Sequence, residues 1–115
     1  MKNRLAFWGY AWKGIIVFLR HCRNVRWHLS AAALAIALGA VLGISKGQWV
    51  AIVLVIALVL VAEMINEAIE LLCDHLHPEQ HPAIGRVKDI SAGAVLLAAI
   101  TAVVVGMLVF LPYLV

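Results

Sequence analysis

Residues 50–74 read VAIVLVIALVLVAEMINEAIELLCD, and this stretch decides the fold. From Val50 to Ala62 every residue is apolar. From Glu63 onward polar residues recur as Glu63, Asn66, Glu67, Glu70 and Asp74. Their spacing, i, i+3, i+4, i+7 and i+11, puts all five on one face of a continuous α-helix. A single helix therefore runs from an apolar medium into a polar one. Ionisable side chains at a bilayer boundary are costly and usually face a bundle interior or an aqueous cavity, so the stripe is the first candidate site. The two remaining acids, Glu79 and Asp89, follow closely, and all six carboxylates of the chain lie between residues 63 and 89.

The rest of the composition agrees with a membrane setting. The chain has 115 residues, enough for one domain, of which 65% are apolar and 13% charged. Soluble domains carry roughly 25% charge. A soluble chain this small could not bury so much apolar surface, and the mean hydropathy is +1.03. The formal net charge of +3 is unevenly spread: residues 1–28 hold Lys2, Arg4, Lys13, Arg20, Arg23 and Arg26 and no acid. Such an arm could contact nucleic acid, but beside several apolar spans it fits the anionic cytoplasmic leaflet better, and no nucleic-acid partner is expected. Cys22 and Cys73 have no CxxC spacing and suggest neither a disulfide framework nor a zinc site. The first 20 residues lack the compact apolar core of a cleaved signal peptide, so the apolar spans are expected in the mature chain.

The periodicity predicts four helices in one domain covering residues 1–115. Residues 1–28 form an amphipathic surface helix, over 2–20, and a basic junction. Leu5, Trp8, Trp12, Ile15, Ile16 and Leu19 make the apolar side, though an ordinary buried helix would share this pattern. The spans are expected at 29–44, at 49–65 continuing to 74, and at 90–111, ended by Pro112. The first is short against the roughly 20 residues usual for a span. Ser45-Lys46-Gly47-Gln48 reads as a turn and His75 to Gly85, with Pro78 and Pro82, as a loop. Positive charge before spans one and three places the N-terminus and residues 66–89 in the cytoplasm. Gly39, Gly43, Gly93, Ala94 and Ala98 permit close helix contact. Three short spans enclose little space alone, which points to an oligomer.

The polar cluster has the parts that phosphoryl transfer requires: cations for phosphates, carboxylates for Mg²⁺ and a base for the attacking hydroxyl. Glu70 and nearby acids can hold Mg²⁺, and Arg86 and Lys88 can meet phosphates. Glu63 lies deepest, placed to accept a proton. No GxxxxGK[ST] loop is present. Plainer roles exist: Glu67 and Asp74 could be solvated or ion-paired, and Lys88-Asp89 could be a helix-entry pair. His75, His77 and His81 match no standard zinc spacing. Glu63, after thirteen apolar residues, has no comparably plain explanation.

These residues resemble a known family, the small prokaryotic diacylglycerol kinases and undecaprenol kinases. The matching strings are Gly9-Tyr10-Ala11-Trp12-Lys13-Gly14, Glu63-Met64-Ile65-Asn66-Glu67-Ala68-Ile69-Glu70, Glu79-Gln80-His81-Pro82, Gly85-Arg86-Val87-Lys88-Asp89 and Ala92-Gly93-Ala94-Val95-Leu96-Leu97. The resemblance implies an all-α homotrimer in the bacterial cytoplasmic membrane, with active sites shared between neighbouring subunits. It also implies ATP and Mg²⁺ as cofactors and a membrane lipid as acceptor. By similarity Glu63 is the general base, Asn66 shapes the site, and Glu70 binds metal and ATP. Tyr10, Glu79, His81, Lys88 and Asp89 line the nucleotide, and Arg4 meets the lipid.

One departure stands out. Many family members carry a metal-holding glutamate where this chain has Cys22, and a thiol is a poor ligand for a hard cation. Either fewer carboxylates suffice, or His21, Asn24 or His28 alters the site, or turnover is weakened. The reading is a lipid kinase acting on diacylglycerol or undecaprenol. The alternative is a non-catalytic membrane module of the same fold. Ser45-Lys46 with Trp49, His81-Pro82 and Phe110-Leu111-Pro112 look like the undecaprenol branch, whereas the Gly9–Gly14 string looks like the diacylglycerol branch.

Overall fold

The computed structural model describes residues 4–115, which form four helices: α1 (Arg4–His21), α2 (Val25–Leu42), α3 (Lys46–Leu76) and α4 (Pro82–Leu114). Lys2 and the start of the expected surface helix lie outside the described residues. The last three helices are long and apolar enough to cross a membrane. With 31 residues, α3 is roughly 46 Å long against a hydrocarbon core of roughly 30 Å. It must therefore protrude, and its C-terminal part, from Glu63 to Leu76, carries the acid stripe.

Several boundaries differ from the sequence reading. The expected turn at 45–48 is already helix: Ser45 caps α3, its hydroxyl accepting from the Gln48 N–H at 3.2 Å while the Gln48 side chain accepts from the Ser45 N–H at 2.9 Å. This reciprocal pair satisfies donors that a helix start leaves open. The first span begins at Val25 rather than 29, because Arg26 and His28 are polar but still helical. It ends at Leu42, with Gly43 in the left-handed conformation at φ 64°. The loop expected at 75–85 shrinks to residues 77–81. His81 caps α4 by accepting the Ala83 N–H at Nδ1, and Pro82 suits a first turn because its missing N–H has no intrahelical partner there. Lys88 and Asp89 are thus well inside α4 and are not an entry pair. Nor does Pro112 end that helix, which continues to Leu114; a proline forfeits one N–H, and this one does so in the last turn.

α3 and α4 pack along each other most extensively, with α2 against both. Two small apolar cores mark the ends of the bundle. Phe18, Cys22 and Val25 are buried against Leu60 and Met64, and Ile44, Ile52 and Val109 against Trp49, Ile56 and Phe110. Between them large side chains face outward, Leu54, Leu58, Leu97 and Leu108 included. This is stable only where lipid or further protein covers them. On α1 the expected apolar side does not pack: Trp8, Trp12, Ile16 and Leu19 are exposed, and Phe18 is the buried residue.

Gly39 is a packing glycine. A Cβ there would lie 2.9 Å from the Trp49 ring and 3.0 Å from Ile44 Cδ1. Gly39→Val is expected to destabilise the fold by about 1–3 kcal/mol through overpacking, read as a lower midpoint in thermal or SDS denaturation. An unchanged midpoint would mean that the α2–α3 junction has room to relax.

Candidate functional site

The stripe on α3 meets its neighbours at three depths. Deepest is Glu63, which is buried, with Oε1 2.7 Å from Nε2 of His28 on α2. One turn outward, Asn66 Oδ1 accepts the hydroxyl of Ser91, a buried residue of α4, at 2.8 Å. Farthest out, Lys88 of α4 donates to Asp74 of α3. The polar face of one helix is thereby tied to α2 at its inner end and to α4 at its outer end. Helix packing sets the spacing: antiparallel α3 and α4 bring the late residues of one beside the early residues of the other.

The other expected residues divide into those drawn into this line and those left apart. Glu70 is half-buried, and its charge acts on Lys88. Glu79 and His81 share with Lys88 a hollow of about 530 Å³ over the 77–81 loop, a size within the range of small-molecule sites. The loop is held in shape by Nδ1 of His77, 2.9 Å from the Glu79 carbonyl oxygen. Asp89 is exposed, and so are Tyr10 and Arg4 on α1. Among the described residues no hydrogen bond or ion pair joins these three to Glu63, Asn66 or Glu70.

Cys22 sits where the acids can be felt. It is buried beside Phe18 and Val25. Burial pushes its thiol up, and the nearby carboxylates of Glu67 and Glu63 push in the same direction, against hydrogen bonding from the backbone of Asn24. Both cysteines are free. Of the residues considered as substitutes at this position, His21 and Asn24 are exposed, whereas His28 reaches Glu63.

Two participants were missed in sequence. Ser91 was hidden among small residues at the start of a span, although a hydroxyl in an apolar helix tends to face the bundle interior. By sequence His28 falls in the junction ahead of the first span, where its one expected role is to alter the site at the Cys22 position. The signal for it was polarity on the first turn of an apolar helix.

Among the described residues no group of three or more His, Cys, Asp or Glu side chains gathers as a cation cage. The oxygen donors present, Glu67 and Glu70 one turn apart, suit Mg²⁺ nonetheless. That ion retains waters and is commonly held by one or two carboxylates plus substrate phosphates.

The family model described as prokaryotic diacylglycerol kinase matches residues 9–110. The undecaprenol kinase of Bacillus subtilis (strain 168) is 34% identical over 103 residues, covering 90% of this chain and 84% of that protein. The diacylglycerol kinase of Synechocystis is 33% identical over 111 residues, covering 96% of this chain and 63% of that protein. The diacylglycerol kinase of Escherichia coli (strain K12) is 33% identical over 96 residues, with 84% and 79% covered. The buried acid at the end of an apolar helix, the histidine bonded to it and this match along the chain lead to one conclusion: the chain belongs to the prokaryotic diacylglycerol kinase family.

Proposed function

We propose that this protein transfers the γ-phosphate of ATP to the hydroxyl of a membrane lipid, diacylglycerol or undecaprenol, at the cytoplasmic surface of the bacterial inner membrane. The observation that carries the reading is Glu63, a carboxylate buried where an apolar span ends and held there by one hydrogen bond to His28. At that depth a lipid hydroxyl and a carboxylate can meet with the hydrocarbon tail still in the bilayer. Glu63 takes the hydroxyl proton as the oxygen attacks phosphorus. Asn66, fixed by Ser91, presents its amide to the reacting groups. Lys88 neutralises charge on the phosphates, and Glu79 and His81 border the same hollow. Glu70 would hold the Mg²⁺ that accompanies the nucleotide, which would supply neutralising charge for the phosphates.

A homotrimer is part of the proposal. Tyr10, Arg4 and Asp89 are exposed and make no hydrogen bond to Glu63 within one chain, and a site completed by a neighbouring subunit would use them. The apolar faces left open along α3 and α4 give the subunits surface to share. The N-terminal basic residues and Arg86 and Lys88 keep the site end of the bundle cytoplasmic.

Purified protein in lipid–detergent micelles, given labelled ATP with diacylglycerol or undecaprenol, tests the reading directly. Labelled lipid from either acceptor supports it and names the substrate. No product from either, by a folded trimer, would favour the non-catalytic module, for which the buried thiol of Cys22 in place of the family's glutamate is the supporting feature. Glu70→Ala is expected to raise the Mg²⁺ concentration for half-maximal rate by about ten-fold, equivalent to about 1.4 kcal/mol, because one oxygen ligand is lost. An unchanged Mg²⁺ titration would transfer that role to another residue.

A further inference from the structure

We propose that His28 is a positioning residue for the base: its Nε2–H donates to Oε1 of Glu63, fixes the direction in which that carboxylate faces, and leaves Oε2 free for the lipid hydroxyl. The inference deepens the lipid-kinase reading and rests on Glu63 as the proton acceptor.

The geometry supports it in three ways. The Nε2–Oε1 distance is 2.7 Å, in the range of charge-assisted hydrogen bonds. Among the described residues His28 is the one side chain hydrogen-bonded to Glu63. The Glu63 side chain is 7% exposed, against 21% for His28. A carboxylate that water scarcely reaches needs a protein donor to remain charged, because a buried charge without hydrogen bonds is costly. His28 reaches Glu63 from another helix, so the bond also fixes which way the carboxylate faces.

Few other ionisable groups face Glu63. On its own helix Glu67 lies one turn away, and the α1–α2 junction contributes Cys22, whose thiol feels the charges of both acids. The basic residues around that junction, Arg20, His21, Arg23 and Arg26, are exposed. On α4 no ionisable side chain lies between Asp89 and Tyr113; Ser91, already committed to Asn66, is neutral. The direction of the Glu63 carboxylate therefore depends chiefly on its one side-chain hydrogen bond.

Without the donor the carboxylate loses its fixed direction toward the lipid hydroxyl. For His28→Ala kcat is expected to fall by about ten-fold or more, the scale of a hydrogen bond to a charged group, with KM for ATP little changed. His28→Gln, which restores an N–H donor, should return most of the rate. An unchanged kcat in a folded His28→Ala protein would overturn the proposal.

A measurement on the unaltered sequence covers the case in which His28→Ala does not fold. Nitrogen NMR of ¹⁵N-histidine-labelled protein should find neutral His28 as the Nε2–H tautomer, and a dominant Nδ1–H tautomer would overturn the proposal. Glu63→Gln separates this idea from the one beneath it. If that variant keeps near-normal turnover, the base assignment fails. If it is inactive while His28→Ala keeps the parent's kcat, only the role of His28 fails.

Discussion

Glu63→Gln is expected to fold and assemble as the parent does and to turn over at least about 10²-fold more slowly, the usual scale for loss of a general base. The substitution is nearly isosteric, and the amide oxygen can still accept from His28 Nε2–H, so the 2.7 Å contact and the packing around it are preserved. What disappears is a group able to take a proton. The amide is not basic, and a lipid hydroxyl that keeps its proton is a weak nucleophile toward phosphorus. Burial sharpens the comparison, because a side chain only 7% exposed leaves little access for water to act as a substitute base. The check is a rate measurement with ATP and lipid both saturating, alongside a thermal midpoint within a few degrees of the parent. A folded variant with near-normal turnover would show that another group takes the proton.

The features that were legible in the sequence share a physical cause. The stripe from Glu63 to Asp74 was readable because helical spacing and an abrupt end to an apolar run are both local signals. α3 spans Lys46–Leu76 as that pattern requires. The boundaries that moved were all places where a polar or proline residue sits inside a helix. Val25 to His28 is helical because its backbone continues the span, whatever its side chains prefer. Pro82 begins α4 because a proline is unobjectionable in a first turn. The placement of the candidate residues was partly legible: Glu63 and Asn66 late in α3 and Lys88 early in α4 fall toward one end of the two antiparallel helices. Their partners were not. His28, Ser91 and Asp74 are chosen by the register between helices, which no single helix encodes. On α1, spacing marks Trp8, Trp12, Ile16 and Leu19 as an apolar side, which stays exposed, but gives no sign that Phe18 packs against Leu60 and Met64 of α3.

Lys88→Met should produce the other large loss, about 10²-fold or more in kcat/KM for ATP, with the Mg²⁺ optimum little changed. Charge that develops on a transferring phosphoryl group is stabilised by fixed cations, and removing one such donor commonly costs about 10²–10³ in rate. Lys88 is the cation beside Glu79 and His81 in the loop hollow, and its resting partner is Asp74. The companion substitution separates catalysis from structure. Asp74 is largely exposed and its side chain 64% accessible, so the pair is a solvent-screened surface contact that adds little to stability. Asp74→Asn should therefore leave the denaturation midpoint in place and hold or raise the rate, because Lys88 is released toward the nucleotide. If the ammonium group served only to join α3 to α4, the two substitutions would be equally damaging, and Lys88→Met would fail through its midpoint rather than its kinetics. Comparable losses in both variants would remove Lys88 from the phosphate-binding group. A loss confined to Lys88→Met, partly restored by Lys88→Arg, would keep it there, because arginine returns the charge but not the compact ammonium geometry.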